Sequence, residues 1–253
     1  MVHSKLKFMQ QRTFQVPERP NPENLTWQSA ARMIDHTNLR PEATPDRIVR
    51  LCQEAREFGF VAVMVNGCYV ELASSQLQDS GVLVGAVIGF PLGATLTSAK
   101  RFEAAEALRL GAREIDMVLN IGALKAGQRD QVAADIRAVA EVTHKQNALL
   151  KVILETVLLT DSEKVSACDI SVDAGADFVK TSTGFLGGGA TIADIMLMRS
   201  TVGSRCGVKA SGGIRTAADF RAMIAAGADR IGTSNGVSII RELRQESSEK
   251  VAP

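Results

Sequence analysis

Three ionisable side chains stand in or at the ends of apolar runs, and their types suit carbonyl chemistry. The segment Gly175-Ala-Asp-Phe-Val-Lys-Thr-Ser-Thr-Gly-Phe185 carries a short apolar stretch into Lys180, followed at once by small and hydroxyl-bearing residues. The next such run, Gly207-Val-Lys-Ala210, holds Lys209, and an earlier one, Glu114 to Leu119, holds Asp116. Lysine is almost never buried without a partner, because taking an ammonium out of water is costly. A lysine at the end of a buried strand is therefore paired or held near neutrality; the plain alternative is a lysine whose stem covers core while its head reaches water. Two lysines on adjacent strands disfavour each other's charge, so Lys180 is expected to have a lowered pKa and some free amine at neutral pH. Such an amine adds to a carbonyl to give a Schiff base, and the protonated Schiff base accepts the electrons of a neighbouring carbon–carbon bond as it breaks. Asp116 can anchor the cations or move a proton through water. The competing reading is a structural Lys-Asp-Lys network with no chemistry.

These side chains need elements to hold them, and the pattern supplies strand and helix in alternation. Apolar runs at Phe60 to Val65, Gly81 to Phe90, Glu114 to Leu119, Ala148 to Glu155, Ala176 to Val179, Gly207 to Ala210 and Asp229 to Gly232, with one before Asp35, read as eight strands, each followed by a helical segment. Thr44-Pro-Asp46 is a helix start, with Thr44 as cap, Pro45 in the first turn and Asp46 at the positive end of the dipole. Phe58-Gly-Phe60, Leu110-Gly-Ala112, Ala174-Gly-Ala-Asp177 and Ala226-Gly-Ala-Asp229 form a faint repeat, each closing a helix before a strand. Repeated βα units with parallel strands close most simply into a single (β/α)8 TIM barrel of class α/β; an open doubly wound sheet is second, and no Gly-x-Gly-x-x-Gly follows the first strand. The barrel is expected over residues 26–246, preceded by an arm of residues 1–25, flexible or packed on the barrel, and followed by a tail of residues 247–253.

Working residues of such barrels lie at the C-terminal ends of strands. The polar residues there are Asp35, Thr37, Asp116, Asn120, Lys151, Glu155, Lys180 and Lys209, and alternation puts Asp116 with Asn120, and Lys151 with Glu155, on one face of their strands. Two loops rich in small residues, Ser211-Gly-Gly-Ile-Arg-Thr216 and Gly232-Thr-Ser-Asn-Gly236, follow the last two strands and run into helix starts, which suits a phosphate; Arg215 adds a charged donor. Thr183 and Gly184 close over the same anion or simply turn the chain.

A net charge of +1, from 29 basic and 28 acidic residues, leaves no electrostatic footprint for nucleic acid or an anionic membrane. No apolar run approaches a spanning helix or a secretory signal, and Cys52, Cys68, Cys168 and Cys206 lack Cys-x-x-Cys spacing, so a cytoplasmic protein with reduced thiols is expected. His3, His36 and His144 are the only histidines and form no metal-binding motif, so no metal is expected; His36 reads as a polar residue at a strand end.

The combination Ile34-Asp-His-Thr-Asn-Leu39, Val87-Ile-Gly-Phe-Pro-Leu-Gly93, Glu114-Ile-Asp-Met-Val118, Lys151-Val-Ile-Leu-Glu-Thr156, Val179-Lys-Thr-Ser-Thr-Gly184 and Val208-Lys-Ala-Ser-Gly-Gly-Ile-Arg215 resembles the 2-deoxyribose-5-phosphate aldolases, class I enzymes on a (β/α)8 barrel. The resemblance implies Lys180 as Schiff-base nucleophile, Lys209 as the lysine that tunes it, and Asp116 as proton donor and acceptor. It implies reversible cleavage of 2-deoxyribose 5-phosphate to glyceraldehyde 3-phosphate and acetaldehyde with no metal or organic cofactor. Substrate contacts are then expected from Asp35, Thr37, Lys151, Thr183, Gly184, Gly212, Gly213, Arg215, Gly232 and Ser234. The partners expected are the phosphosugar and further copies of the chain, as a dimer or tetramer. Met64 stands where many members carry Cys, Gly67 where many carry Pro, and the C-terminal tyrosine of some members is missing, Tyr69 being the only tyrosine.

Overall fold

The computed structural model describes residues 25–249; the expected arm of residues 1–25 lies almost wholly outside them, as does most of the tail. The chain opens with α1 (Trp27–Ala31), β1 (Ile34–Asn38), α2 (Pro45–Phe58), β2 (Ala62–Val65), α3 (Val70–Gln76), β3 (Leu83–Ile88), α4 (Thr97–Arg109) and β4 (Glu114–Val118). It continues through α5 (Ile121–Lys125), α6 (Arg129–Lys145), β5 (Leu149–Ile153), α7 (Asp161–Asp173), β6 (Phe178–Lys180), α8 (Ile192–Val202), β7 (Gly207–Ser211), α9 (Ala217–Ala226), β8 (Arg230–Thr233) and α10 (Gly236–Glu249). The strands run parallel in sequence order and close, β8 pairing with β1, so the sheet is a (β/α)8 barrel and not an open one. Among the described residues no helix is long and apolar enough to cross a membrane. Cys52, Cys168 and Cys206 are buried free thiols, Cys68 is an exposed one, and burial pushes Cys52 up to about 11.

The faint Gly-Ala-Asp repeat has a physical role. Asp177 Oδ2 accepts the Leu150 N–H at 2.7 Å and meets His144 Nε2 at 2.9 Å, while Asp229 Oδ2 accepts the Val208 N–H at 2.8 Å and pairs with Arg199. Each Asp thus ties the start of its strand to the neighbouring strand and to a helix, which fixes the height of the strand ends above.

Three local expectations need correction. Thr44 occupies the cap position of α2, but its hydroxyl makes no capping bond; Pro45 and Asp46 mark the start instead. Asn120 does not continue the inward face of β4, because its Oδ1 accepts the Ala123 N–H at 3.1 Å and starts α5, a short helix the pattern did not reveal. Glu155 leaves the inward face of Lys151 because its backbone is left-handed, with φ 57°, which turns its carboxylate onto Thr183.

The wall beside Asp116 is braced by a buried pair between helices. Lys100 Nζ donates to Asp135 Oδ2 at 2.5 Å and to the Val118 carbonyl at 3.0 Å, and Thr97 Oγ1 donates to Asp135 Oδ1 at 2.8 Å. This fastens α4 to α6 and to the end of β4. Removing one partner leaves a buried charge uncompensated, so Asp135→Ala should lower unfolding free energy by about 3–5 kcal/mol in urea titrations. A loss below about 1 kcal/mol would show that water reaches Lys100.

Candidate active site

Residues paired across a parallel sheet point to the same side, and the register therefore gathers the charges. It sets Lys180 opposite Lys209, Lys209 opposite Arg230, and Asp116 opposite Lys151. Lys180 Nζ and Lys209 Nζ each lie 2.8 Å from Asp116 Oδ2, and Lys151 Nζ lies 2.9 Å from Asp116 Oδ1. Below them, Glu114 Oε2 takes Lys151 at 2.5 Å, while Arg230 donates to Asp35 Oδ1 at 2.6 Å and to Glu114 Oε1 at 3.1 Å. Lys209 Nζ is 2.5 Å from Asp35 Oδ2, an ionic contact whose angles do not meet hydrogen-bond geometry. Every one of these side chains is buried.

Within this ion-paired cluster the cations Lys151, Lys180, Lys209 and Arg230 outnumber the carboxylates Asp35, Glu114 and Asp116 by one. A surplus charge in a dry interior is costly, and the cheapest remedy is to shed a proton. Burial works against charge on Lys151 and Arg230, but their carboxylate partners outweigh it and hold both above their ordinary values. Burial would raise Asp116, but Lys151, Lys180 and Lys209 outweigh it and hold the carboxyl well below its ordinary range. At Lys180 burial wins: with Lys209 adding to it, and only Asp116 opposing, the amine is lowered to about 8. Desolvation is thus the larger cause and the neighbouring ammonium the smaller, and both act in the direction expected from sequence.

Above the cluster opens a cavity of about 770 Å³ with Lys180 in its wall. Thr37, Thr183, Gly184, Gly212, Gly213, Arg215, Gly232 and Ser234 line it, as expected. Asp35 and Lys151 do not, and neither do Asp116 and Lys209; all four are fully buried and join the cavity through the ion pairs that lead to Lys180. The two small-residue loops also differ from expectation. The start of α9 is already occupied, because Asp219 Oδ2 accepts the N–H groups of Arg215 and Thr216 at 3.0 Å each and Glu242 accepts that of Ala217 at 2.7 Å. Only α10, which begins just after the cavity-lining Ser234 and Asn235, presents a helix start there. Gly212 has φ +88°, and a Cβ there would lie 2.9 Å from the Gly189 Cα, so glycine lets two loops meet backbone to backbone. At Gly232 a Cβ would lie 3.0 Å from Lys209 Cε, so its smallness also makes room for the lysine stem.

Comparison with known proteins decides the family. The DeoC/LacD family aldolase profile matches residues 30–246. The chain belongs to this aldolase family. It is 56% identical over 221 residues to the deoxyribose-phosphate aldolase of Lysinibacillus sphaericus, covering 87% of this chain and 99% of that one. It is 56% identical over 216 residues to the enzyme of the same name from Thermococcus gammatolerans, covering 85% of this chain and 96% of that one. Among solved structures, the tetrameric deoxyribose phosphate aldolase of Aeropyrum pernix superposes with a TM-score of 0.82 at 34% identity, covering 87% of this chain and 93% of that one.

Several features of this aldolase escaped the sequence reading. Glu114 and Arg230 complete the ion cluster; Glu114 shares the strand parity of Asp116, which was the signal for it, and Arg230 is a charge at the start of an otherwise uncharged strand. Arg47 and Arg50, spaced i,i+3 on α2, line the cavity together with Arg40. His36 is held by Glu54, Nε2 to Oε2 at 2.8 Å, which accords with a strand-end polar role. Among the described residues no group of three or more His, Cys, Asp or Glu side chains is placed to hold a metal ion.

If Lys180 is the nucleophile, its neutral amine is the form that reacts, and kcat/KM for carbon–carbon cleavage should rise with pH up to about 8 and then level off. Lys209→Met removes a cation that disfavours the ammonium, so the rising limb should move to higher pH; a limb that stays in place would show that Lys209 does not tune the amine.

Proposed function

We propose that Lys180, Lys209 and Asp116 carry out the reversible cleavage of 2-deoxyribose 5-phosphate to glyceraldehyde 3-phosphate and acetaldehyde within a catalytic unit of residues 26–246. The observation that carries this reading is the sharing of one carboxylate oxygen, Asp116 Oδ2, by two lysine amines at 2.8 Å each, one of which, that of Lys180, belongs to a residue in the cavity wall. The neutral Lys180 amine adds to the C1 aldehyde of the open-chain sugar. Loss of the resulting hydroxyl as water leaves a protonated imine. A base takes the C3 hydroxyl proton, the C2–C3 bond breaks, and its electron pair moves into the imine to give an enamine. Glyceraldehyde 3-phosphate departs, the enamine is protonated at its terminal carbon, and water hydrolyses the imine to free acetaldehyde and Lys180.

Asp116 is ionised in the resting state, so its first act is to accept a proton, and Lys209, on the same oxygen, is the neighbour that passes protons with it. The phosphate is placed against the N–H groups of Gly212 and Gly213, with Gly232, Ser234 and the start of α10 beside them and Arg215 at the rim. Thr183, held by Glu155 through its N–H at 3.1 Å and its hydroxyl at 2.5 Å, and Gly184 close the side above Lys180, with Thr37 opposite them facing the sugar hydroxyls. Asp35 and Lys151 support this from below. Leu92, Leu96 and Phe102 are large apolar side chains left exposed around α4, and with the tetrameric relative they support assembly as a homo-oligomer.

Incubation with 2-deoxyribose 5-phosphate and borohydride should add the reduced adduct to the peptide holding Lys180, and Lys180→Ala should abolish both adduct and turnover. An adduct of unchanged yield in Lys180→Ala would assign the nucleophile elsewhere. Arg215→Ala should raise KM for the phosphorylated sugar by about tenfold with kcat little changed. An unchanged KM would remove Arg215 from the phosphate site.

A further inference from the structure

The lower tier of the barrel floor takes no part in the steps above, yet it decides how Asp116 is divided. Arg230 does not line the cavity and makes no ion pair with a cavity residue. Its guanidinium occupies Asp35 Oδ1 at 2.6 Å and Glu114 Oε1 at 3.1 Å, and its Cζ lies 5.6 Å from the Phe178 ring centroid. Asp35 Oδ2 faces Lys209 at 2.5 Å and, more distantly, Lys151 at 3.7 Å, while Glu114 Oε2 takes Lys151 at 2.5 Å and a second, longer contact from Arg230 at 3.5 Å. With those acids shared, Lys209 and Lys151 also draw on Asp116, at 2.8 and 2.9 Å. Three lysines then compete for one carboxylate.

We propose that Arg230 is a positioning residue for the aldolase reaction: by taking half of Asp35 and half of Glu114 it sends Lys209 and Lys151 to Asp116, and so leaves Lys180 as the cation without a carboxylate of its own. This rests on the reading of Lys180 as nucleophile. Without the guanidinium, Asp35 and Glu114 hold Lys209 and Lys151 outright, Asp116 is free for Lys180, and the nucleophile keeps its proton. The charged groups around Lys180 are Asp116 and Glu114 on β4, Lys151 on β5, Lys209 on β7 and Asp35 on β1. Glu155, beyond β5, is engaged by Thr183, and Arg215 lines the same cavity. None of these changes in the test below except Glu114, which is changed on purpose.

The test is the pH dependence of kcat/KM on 2-deoxyribose 5-phosphate for the full chain, Arg230→Met, Glu114→Gln and the double variant. Arg230→Met should move the rising limb up by about one pH unit, roughly a tenfold loss at neutral pH that is recovered at high pH. The double variant removes one charge of each sign and should bring the limb back, whereas Glu114→Gln alone, which adds to the surplus, should move it down. A merely structural Arg230 would depress kcat at every pH without moving the limb, and that result overturns the proposal. So does a double variant whose limb stays with the single one. Should Arg230→Met fail to fold, Glu114→Gln decides alone: a limb shifted to lower pH supports the proposal, and an unmoved limb overturns it. Borohydride trapping of each variant separates the two readings, since absence of a Lys180 adduct in the unaltered chain removes the nucleophile itself, while a present adduct with unmoved limbs removes only the role of Arg230.

Discussion

A dry barrel interior that holds one more cation than it holds carboxylates cannot keep every proton. This constraint underlies the chemistry. Charge transferred from water to protein interior loses several kcal/mol of solvation unless a partner returns it, so the deficit falls on the group with the poorest claim to a carboxylate. Arg230 sits between two acids, Lys151 among three and Lys209 between Asp35 and Asp116, whereas Lys180 has only a share of Asp116 Oδ2. Lys180 is also the lysine at the top of the network, where the cavity begins. Its lowered basicity is a property of the whole cluster.

The fold supplies what this cluster needs. Parallel register aligns charges of consecutive strands toward the axis, and the closed sheet excludes water from them. Aspartates at the strand starts and the Lys100–Asp135 brace behind β4 fix the heights of the strands, so that amines from β5, β6 and β7 converge on one carboxylate of β4. The loops after β7 and β8 are built from glycine and small hydroxyl residues because two backbones meet at Gly189 and Gly212 and a lysine stem passes under Gly232. The same small residues line the cavity.

Much of this was legible in the residues. Alternating apolar runs and helix ends at glycine gave eight βα units, and Lys180, Lys209 and Asp116 stood out because charge inside such runs demands a reason. What escaped was set by geometry beyond the local pattern. Asn120 and Glu155 follow the alternation on paper, but their strands end two residues earlier and the chain turns, so one becomes a helix cap and the other a clamp on Thr183. Asp35 and Lys151 looked like cavity residues because an apolar run does not show where its strand ends; they are the second residue of β1 and the third of β5, short of the strand ends that meet the cavity. Glu114 and Arg230 lie at strand beginnings and so were passed over, although they complete the charge balance. The relative weight of burial and of Lys209 in lowering the Lys180 pKa was not legible, because burial is a property of the closed barrel while a neighbouring lysine can be read from the sequence.

The central claim is that Lys180 sheds its proton near neutrality while Lys151, a few ångströms below, does not. The most direct measurement is a pH titration of the lysine 13Cε and 15Nζ resonances, with Lys180 assigned by Lys180→Arg. The account predicts that Lys180 passes from ammonium to amine with a midpoint near 8 while Lys151 stays protonated across the range. A Lys180 resonance that remains that of an ammonium ion through pH 9.5 would contradict it.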